Sequence, residues 1–215
     1  DVSDASNPVT LSTFDTNGRA YSLAVSSDGS TVYLADDEEG LQIIDVSDSS
    51  NPTLLSTFGT ERFSLGVTLS DDGLTAYVAD ANSLQIIDIS DIQNPSLLGS
   101  LETSGTAYET ALSSDESMAY VAVRDSGLDI IDISKPAYPV LVSTLDTPGS
   151  ALAVKLSSDD TTAYITDDSF GLQIADITDS TNPIILSSFD TEGDSWGLAL
   201  SSDGRYAYIA DLTSL

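Results

Sequence analysis

Residues 40–58, GLQIIDVSDSSNPTLLSTF, are nearly repeated at residues 83–101 as SLQIIDISDIQNPSLLGSL, and no other feature constrains the fold as strongly. Two rulers measure the period. Pro8, Pro52, Pro95, Pro139 and Pro183 stand 43 or 44 residues apart, and Tyr33, Tyr77, Tyr120, Tyr164 and Tyr208 repeat the same intervals. Both count five copies. Each copy holds an alternating segment such as AYSLAVS, the turn SSDG, a segment such as STVYLAD, a short loop, GLQIIDVSD, and NPTLLSTF with a polar glycine-bearing loop.

Four runs per copy are rich in Val, Ile, Leu, Tyr and Thr and bounded by Gly, Pro, Asn, Asp and Ser, which predicts four strands, lettered a to d. In strand a, Tyr21, Leu23 and Val25 share one face and Ser22, Ala24 and Ser26 the other, a period of two that excludes a helix. SSDG supplies hairpin-turn residues, and the Asn-Pro pairs open strand d at an edge where proline removes no ladder donor. Four short antiparallel strands repeating at this period predict an all-β propeller with five four-stranded blades.

The segments LQIIDVSDSSNP, LQIIDISDIQNP, LDIIDISKPAYP and LQIADITDSTNP resemble the LVIVD repeat of secreted and surface proteins, and SSDGSTVYLAD is similar to the YVTN type of propeller repeat. The resemblance covers essentially the whole chain and implies a propeller scaffold with few assigned activities. Departures cluster in the third and fourth copies: Tyr138 stands for the Asn of Asn-Pro, Lys135 for an Asp, Val123 for the Asp of the Ala-Asp pair, and Ala175 for an Ile.

Aligned on Asp45, Asp88, Asp132 and Asp176, Asp1 is a fifth member, and Leu215 aligns with Leu41. The expectation is one domain over residues 1–215, its ring closed by the N-terminal strand d joining the C-terminal strands, within a longer parent chain. No apolar run approaches the length of a membrane span, so no direct membrane insertion is expected. There is no Cys and no His, which removes Ser-His-Asp and Cys-His catalysis and imidazole or thiolate metal sites. Thirty-five acidic residues against six basic ones give a net charge of −29, which repels phosphate backbones, so no nucleic-acid partner is expected.

Comparison among copies separates core from free surface. The strand-b tyrosines and the series Val25, Leu69, Leu112, Leu156 and Leu200 hold their type and are assigned to the core. The loops from b to c and from d to a vary and share one face, which is the expected place for a protein or glycan partner. Phe63, Tyr108, Phe170 and Trp196 are its aromatic candidates. Tyr108 and Trp196, with Tyr21, share a register with Leu65 and Leu152 and are expected to plug the core. Phe63 and Phe170 have no apolar counterpart and are the better exposed pair. Glu109 and Lys155 are the two charged residues on the small-residue face of strand a, where adjacent blades would bring them together. A channel-lining ion pair is the plain reading, because a glycosidase needs two carboxyl groups and only Glu109 is evident. Asp36, Asp37, Glu38 and Glu39 form a candidate calcium cluster, although DDEEG, DTNG and DTEGD each lack a full ligand set. No cofactor is required. The chain is expected to act as a non-catalytic extracellular or cell-surface binding module. The alternative is a carbohydrate-active enzyme using carboxylates at the channel mouth.

Overall fold

The computed structural model describes residues 1–212. All its regular elements are strands, in five successive sheets. Blade I holds β1 (Ser22–Val25), β2 (Thr31–Ala35), β3 (Leu41–Asp45) and β4 (Thr53–Phe58). Blade II holds β5 (Ser64–Leu69), β6 (Thr75–Asp80), β7 (Ser83–Asp88) and β8 (Ser96–Glu102). Blade III holds β9 (Ala107–Leu112), β10 (Met118–Val123), β11 (Gly127–Asp132) and β12 (Val140–Leu145). Blade IV holds β13 (Ala153–Leu156), β14 (Thr162–Thr166), β15 (Leu172–Asp176) and β16 (Ile184–Phe189). Blade V shows β17 (Ser195–Leu200) and β18 (Ala207–Asp211). Every pairing is antiparallel between neighbours in sequence, and the inner strands pack in series, β1 on β5, β5 on β9, β9 on β13 and β13 on β17.

The SSDG turns work as their residues suggest. Ser26 Oγ donates to Asp28, Asp28 accepts the Ser30 amide at 3.0 Å, and Gly29 takes a φ of 74° that favours glycine. A bulge that the periodicity does not reveal recurs between strands c and d, at Ile43/Ile44, Ile86/Ile87, Ile130/Ile131 and Ile174/Ala175. It adds twist to the outer strand.

The blades stack through one recurring contact. Tyr33 shares a core cluster with Val67 and Val78 of blade II, Tyr77 with Ala119 and Val121 of blade III, and Tyr120 with Ala163 and Ile165 of blade IV. Gly66 permits the close approach of the inner strands, since a Cβ there would lie 2.1 Å from the Tyr108 carbonyl oxygen. Backbone bonds join blades as well: Ser64 and Asp37 exchange N–H and C=O at 3.0 and 3.2 Å, and the Ser195 amide donates to Asp168 at 3.0 Å.

Two expectations need correction. Tyr208, the fifth copy of the core tyrosine, is 61% exposed because no sheet lies over β18 on that side. The closing strand is not formed: residues 9–14 belong to no strand, and blade V has two strands among the described residues. The proposed match of Leu215 to strand c lies outside the described residues.

Candidate functional site

The inner strands surround a cavity of about 300 Å³ lined by Tyr21, Ser22, Leu65, Tyr108, Glu109, Leu152, Ala153, Trp196, Gly197 and Leu198. Small residues on the channel side of strand a keep it open. Glu109 from β9 lines it and meets Lys155 from β13: Lys155 Nζ lies 2.5 Å from Glu109 Oε1, and the Val154 amide donates to Glu109 Oε2 at 3.1 Å. This is the one ion pair among the described residues, and its side chains are 28% and 39% exposed for Glu109 and Lys155. The carboxylate is therefore fixed at both oxygens while remaining in reach of solvent. The juxtaposition expected from the repeat register is what the fold produces.

Tyr21 and Trp196, expected to plug the core, are instead nearly half exposed, and with Tyr108 they wall the cavity. The inner strands surround this cavity rather than closing over it, so these side chains border open space. Phe63 and Phe170 are exposed as expected, but they are separated: Phe63 lines a second cavity, and Phe170 lies against the loop at Gly149. That second cavity, of about 850 Å³, adjoins the first at Tyr21, Leu65 and Tyr108 and also collects Arg19, Arg62, Asp37, Glu38 and Glu39. The two arginines were not singled out by the repeat comparison. Their scarcity was the available signal, since the chain has only six Lys and Arg residues.

The four-carboxylate cluster is not assembled. Asp36 is fully buried, accepting the Thr16 hydroxyl at 2.8 Å and the Gly18 amide at 3.3 Å, so it holds the loop that precedes strand a. Asp37 spends its backbone on Ser64, and Glu38 points to solvent. No three acidic side chains among the described residues are grouped to hold a metal ion. Asp167 repeats the Asp36 arrangement with Thr147 at 2.6 Å and Gly149 at 2.9 Å. Burial pushes the carboxyls of Asp80 and Asp167 above the ordinary aspartate range, and Asp80 Oδ1 has no hydrogen-bond partner among the described residues.

Five blades of antiparallel strands around a central channel define a β-propeller. The LVIVD repeat matches residues 17–60, 72–103, 105–147, 148–191 and 192–215, and the chain belongs to the LVIVD-repeat family. No curated protein sequence matches it significantly. Among solved structures it is similar to the periplasmic gluconolactonase of Pseudomonas aeruginosa, with a TM-score of 0.77 and 14% identity over 89% of this chain and 63% of that one. A putative 6-phosphogluconolactonase from Bacteroides fragilis gives 0.75 and 13% over 88% and 62%. The Cps50 β-propeller domain of Myceliophteria thermophila gives 0.73 and 14% over 92% and 64%. The chain thus spans less than two thirds of the length of each. At these identities the likeness is one of fold. It still corrects the expectation of a non-catalytic module, because propellers of this shape include a gluconolactonase and the scaffold gives no ground for excluding catalysis.

Proposed function

We propose that the channel mouth is a hydrolytic site for a small, uncharged, hydroxyl-rich ring, a sugar lactone. The observation that carries this reading is the solvent-reachable Glu109–Lys155 pair, whose carboxylate residue lines an aromatic-walled cavity. One carboxylate beside one ammonium does not make the two-carboxylate constellation of a glycosidase. It does suit attack of water on a carbonyl. Glu109 takes a proton from the water as its oxygen adds to the lactone carbonyl carbon, and the Lys155 ammonium stabilises the oxyanion that forms. The ring C–O bond then breaks, and the leaving alkoxide takes the proton back from Glu109, so the product is a hydroxy acid.

Tyr21, Tyr108 and Trp196 offer flat faces for the sugar ring. The net charge of −29 disfavours phosphorylated lactones and favours departure of the product, which ionises to an anion on release. The test is hydrolysis of glucono-1,5-lactone followed by proton release. Glu109→Gln is expected to lower kcat by about 10²- to 10⁴-fold, and Lys155→Met to lower it with little change in KM. Wild-type protein that releases no protons above the uncatalysed rate, or a Glu109→Gln variant that keeps full activity, overturns the proposal.

A further inference from the structure

We infer that the larger of the two cavities, lined by Arg19 and Arg62, is a binding site for an acidic sugar, a pyranose ring that carries one carboxylate.

Arg62 breaks the pattern of its repeat. The loops before strand a place glycine at this register in the other four copies, as Gly18, Gly105, Gly149 and Gly193. Space is the reason. A Cβ on Gly18 or Gly149 would lie 2.2 or 2.5 Å from the carbonyl oxygen of Asp36 or Asp167, so a side chain at this register obliges the loop to shift. The aspartate beneath the loop registers the difference. In blades I and IV both of its carboxylate oxygens are bonded, one to a threonine hydroxyl and the other to the glycine amide. In blade II the equivalent Asp80 is fully buried, accepts Gln85 Nε2 at 2.7 Å, and leaves Oδ1 with no hydrogen-bond partner among the described residues. A buried acceptor left open is costly, and residues that break a local rule at a cost concentrate where a molecule binds or reacts.

No contact within the fold accounts for Arg62. It is exposed and, like Arg19, takes part in no ion pair, since Glu109 and Lys155 form the one such pair among the described residues. Both arginines stay unpaired in a chain that has 35 acidic residues and six basic ones. Arg19, from the corresponding loop of blade I, lines the same cavity of about 850 Å³. Neighbouring blades thus bring two of the six cationic side chains to one concavity.

The remaining lining sets the chemistry of the ligand. A guanidinium is a planar fork of donors that matches a carboxylate through two parallel hydrogen bonds. Glu38 and Glu39 line the same cavity, where they accept hydrogen bonds from hydroxyl groups and repel a second negative charge, which disfavours phosphate dianions and acidic peptides. Phe63, 46% exposed on the cavity wall, supplies a flat apolar face for a ring. One carboxylate, several hydroxyls and a ring together describe a uronic acid, and the volume lies within the range of small-molecule sites. This site goes beyond the hydrolysis proposed for the neighbouring cavity and does not depend on it.

Titration calorimetry of the whole chain at low ionic strength, with sodium glucuronate, glucose and sodium phosphate in separate runs, tests the inference. Glucuronate is expected to bind saturably and at least about 10-fold more tightly than either of the others. Arg19→Met and Arg62→Gly should each weaken it by about 10-fold or more, as for loss of a charged hydrogen bond, and Arg62→Lys, which keeps the charge without the fork, should fall between. Arg62→Gly also restores the glycine register, so it should melt no lower than wild type, which separates recognition from a structural role. Glu109→Gln, which disables the proposed hydrolysis, should bind glucuronate as wild type does, so the two proposals fail separately. The inference is overturned by any of four results: no saturable binding of glucuronate, equal binding of glucose or phosphate, binding that survives both arginine variants or is lost in Glu109→Gln, or an Arg62→Gly protein that melts several degrees below wild type.

Discussion

Asp129 accepts both the amide N–H of Ser104, at 2.8 Å, and its hydroxyl, at 2.7 Å. In blades I and IV this service to the loop before strand a comes from the aspartate that follows strand b, Asp36 or Asp167. In blade III that position is Val123, which is fully buried, and the carboxylate has moved to strand c, where the other copies carry Gln42, Gln85 and Gln173. Asp129 also keeps the strand-d bond of that position, accepting the Thr144 hydroxyl at 2.6 Å as Gln42 accepts Thr57 at 2.9 Å.

Asp129→Ala is therefore expected to destabilise the fold by about 3 kcal/mol, since three donors lose a buried acceptor. The double change Val123→Asp with Asp129→Gln rewrites blade III in the pattern of the others and should recover most of that loss. Chemical denaturation of the three proteins measures it, and a double variant no more stable than Asp129→Ala would show that the two positions do not exchange roles.

The tyrosine series offers a contrast within one residue type. Tyr77→Ala should cost about 3 to 5 kcal/mol because it empties a site between two blades, whereas Tyr208→Ala should cost under about 1 kcal/mol. Burial of Tyr77 also pushes its phenol up to about 12, so alkaline difference absorbance should find Tyr77 ionising well above the ordinary tyrosine value of 10.0. Equal melting shifts for the two alanine variants would contradict the exposure difference.

At the bottom of the blades, Asp160 sits at a φ of 55° in a turn position that is Gly29, Gly73 or Gly204 in other copies. Its Oδ2 accepts the Ser114 amide at 2.8 Å and the Ser114 hydroxyl at 2.5 Å from the preceding blade. The charge-assisted bonds offset the left-handed backbone. Asp160→Ala keeps the strain and loses the bonds, and should destabilise by about 2 kcal/mol; Asp160→Gly loses both and should cost about half as much. Thermal melts that rank the glycine variant below the alanine variant would contradict the account.

Acid should act in two opposite directions. The turn carboxylates are held below the ordinary range, Asp28 down to about 2 by the hydroxyl of Ser26 and then the amide and hydroxyl of Ser30, with Asp72, Asp115, Asp159 and Asp203 lowered by equivalent bonds. A depressed carboxyl stabilises the fold above its unfolded value of 3.8, and that stability is lost as the pH falls through the folded values. Asp80 and Asp167 are raised by burial, so lowering the pH through their folded values relieves a cost. Melting in about 0.5 M NaCl, which screens the general repulsion, should improve on mild acidification and then fall steeply between about pH 4 and 2. Asp167→Asn should flatten the first limb and leave the second. A midpoint that keeps rising down to pH 2 would contradict the turn assignment.

How far the sequence reached depended on what each residue had to satisfy. The strands, the SSDG turns and the blade number follow from periods of two and of about 44, because local backbone geometry and repetition are written in neighbouring residues. The meeting of Glu109 and Lys155 was also legible, since alternate residues of strand a share the small-residue face and adjacent copies set those faces side by side. The fate of the DDEEG loop was not. Its carboxylates are adjacent in sequence, yet Asp36 turns inward to a loop twenty residues earlier, and only the packed blade shows which acceptor those donors find. Nor could repetition reveal that Tyr208 differs from Tyr77. Identical residues in identical strands are core or surface according to whether another sheet covers them, and that is decided by the tertiary arrangement of the blades.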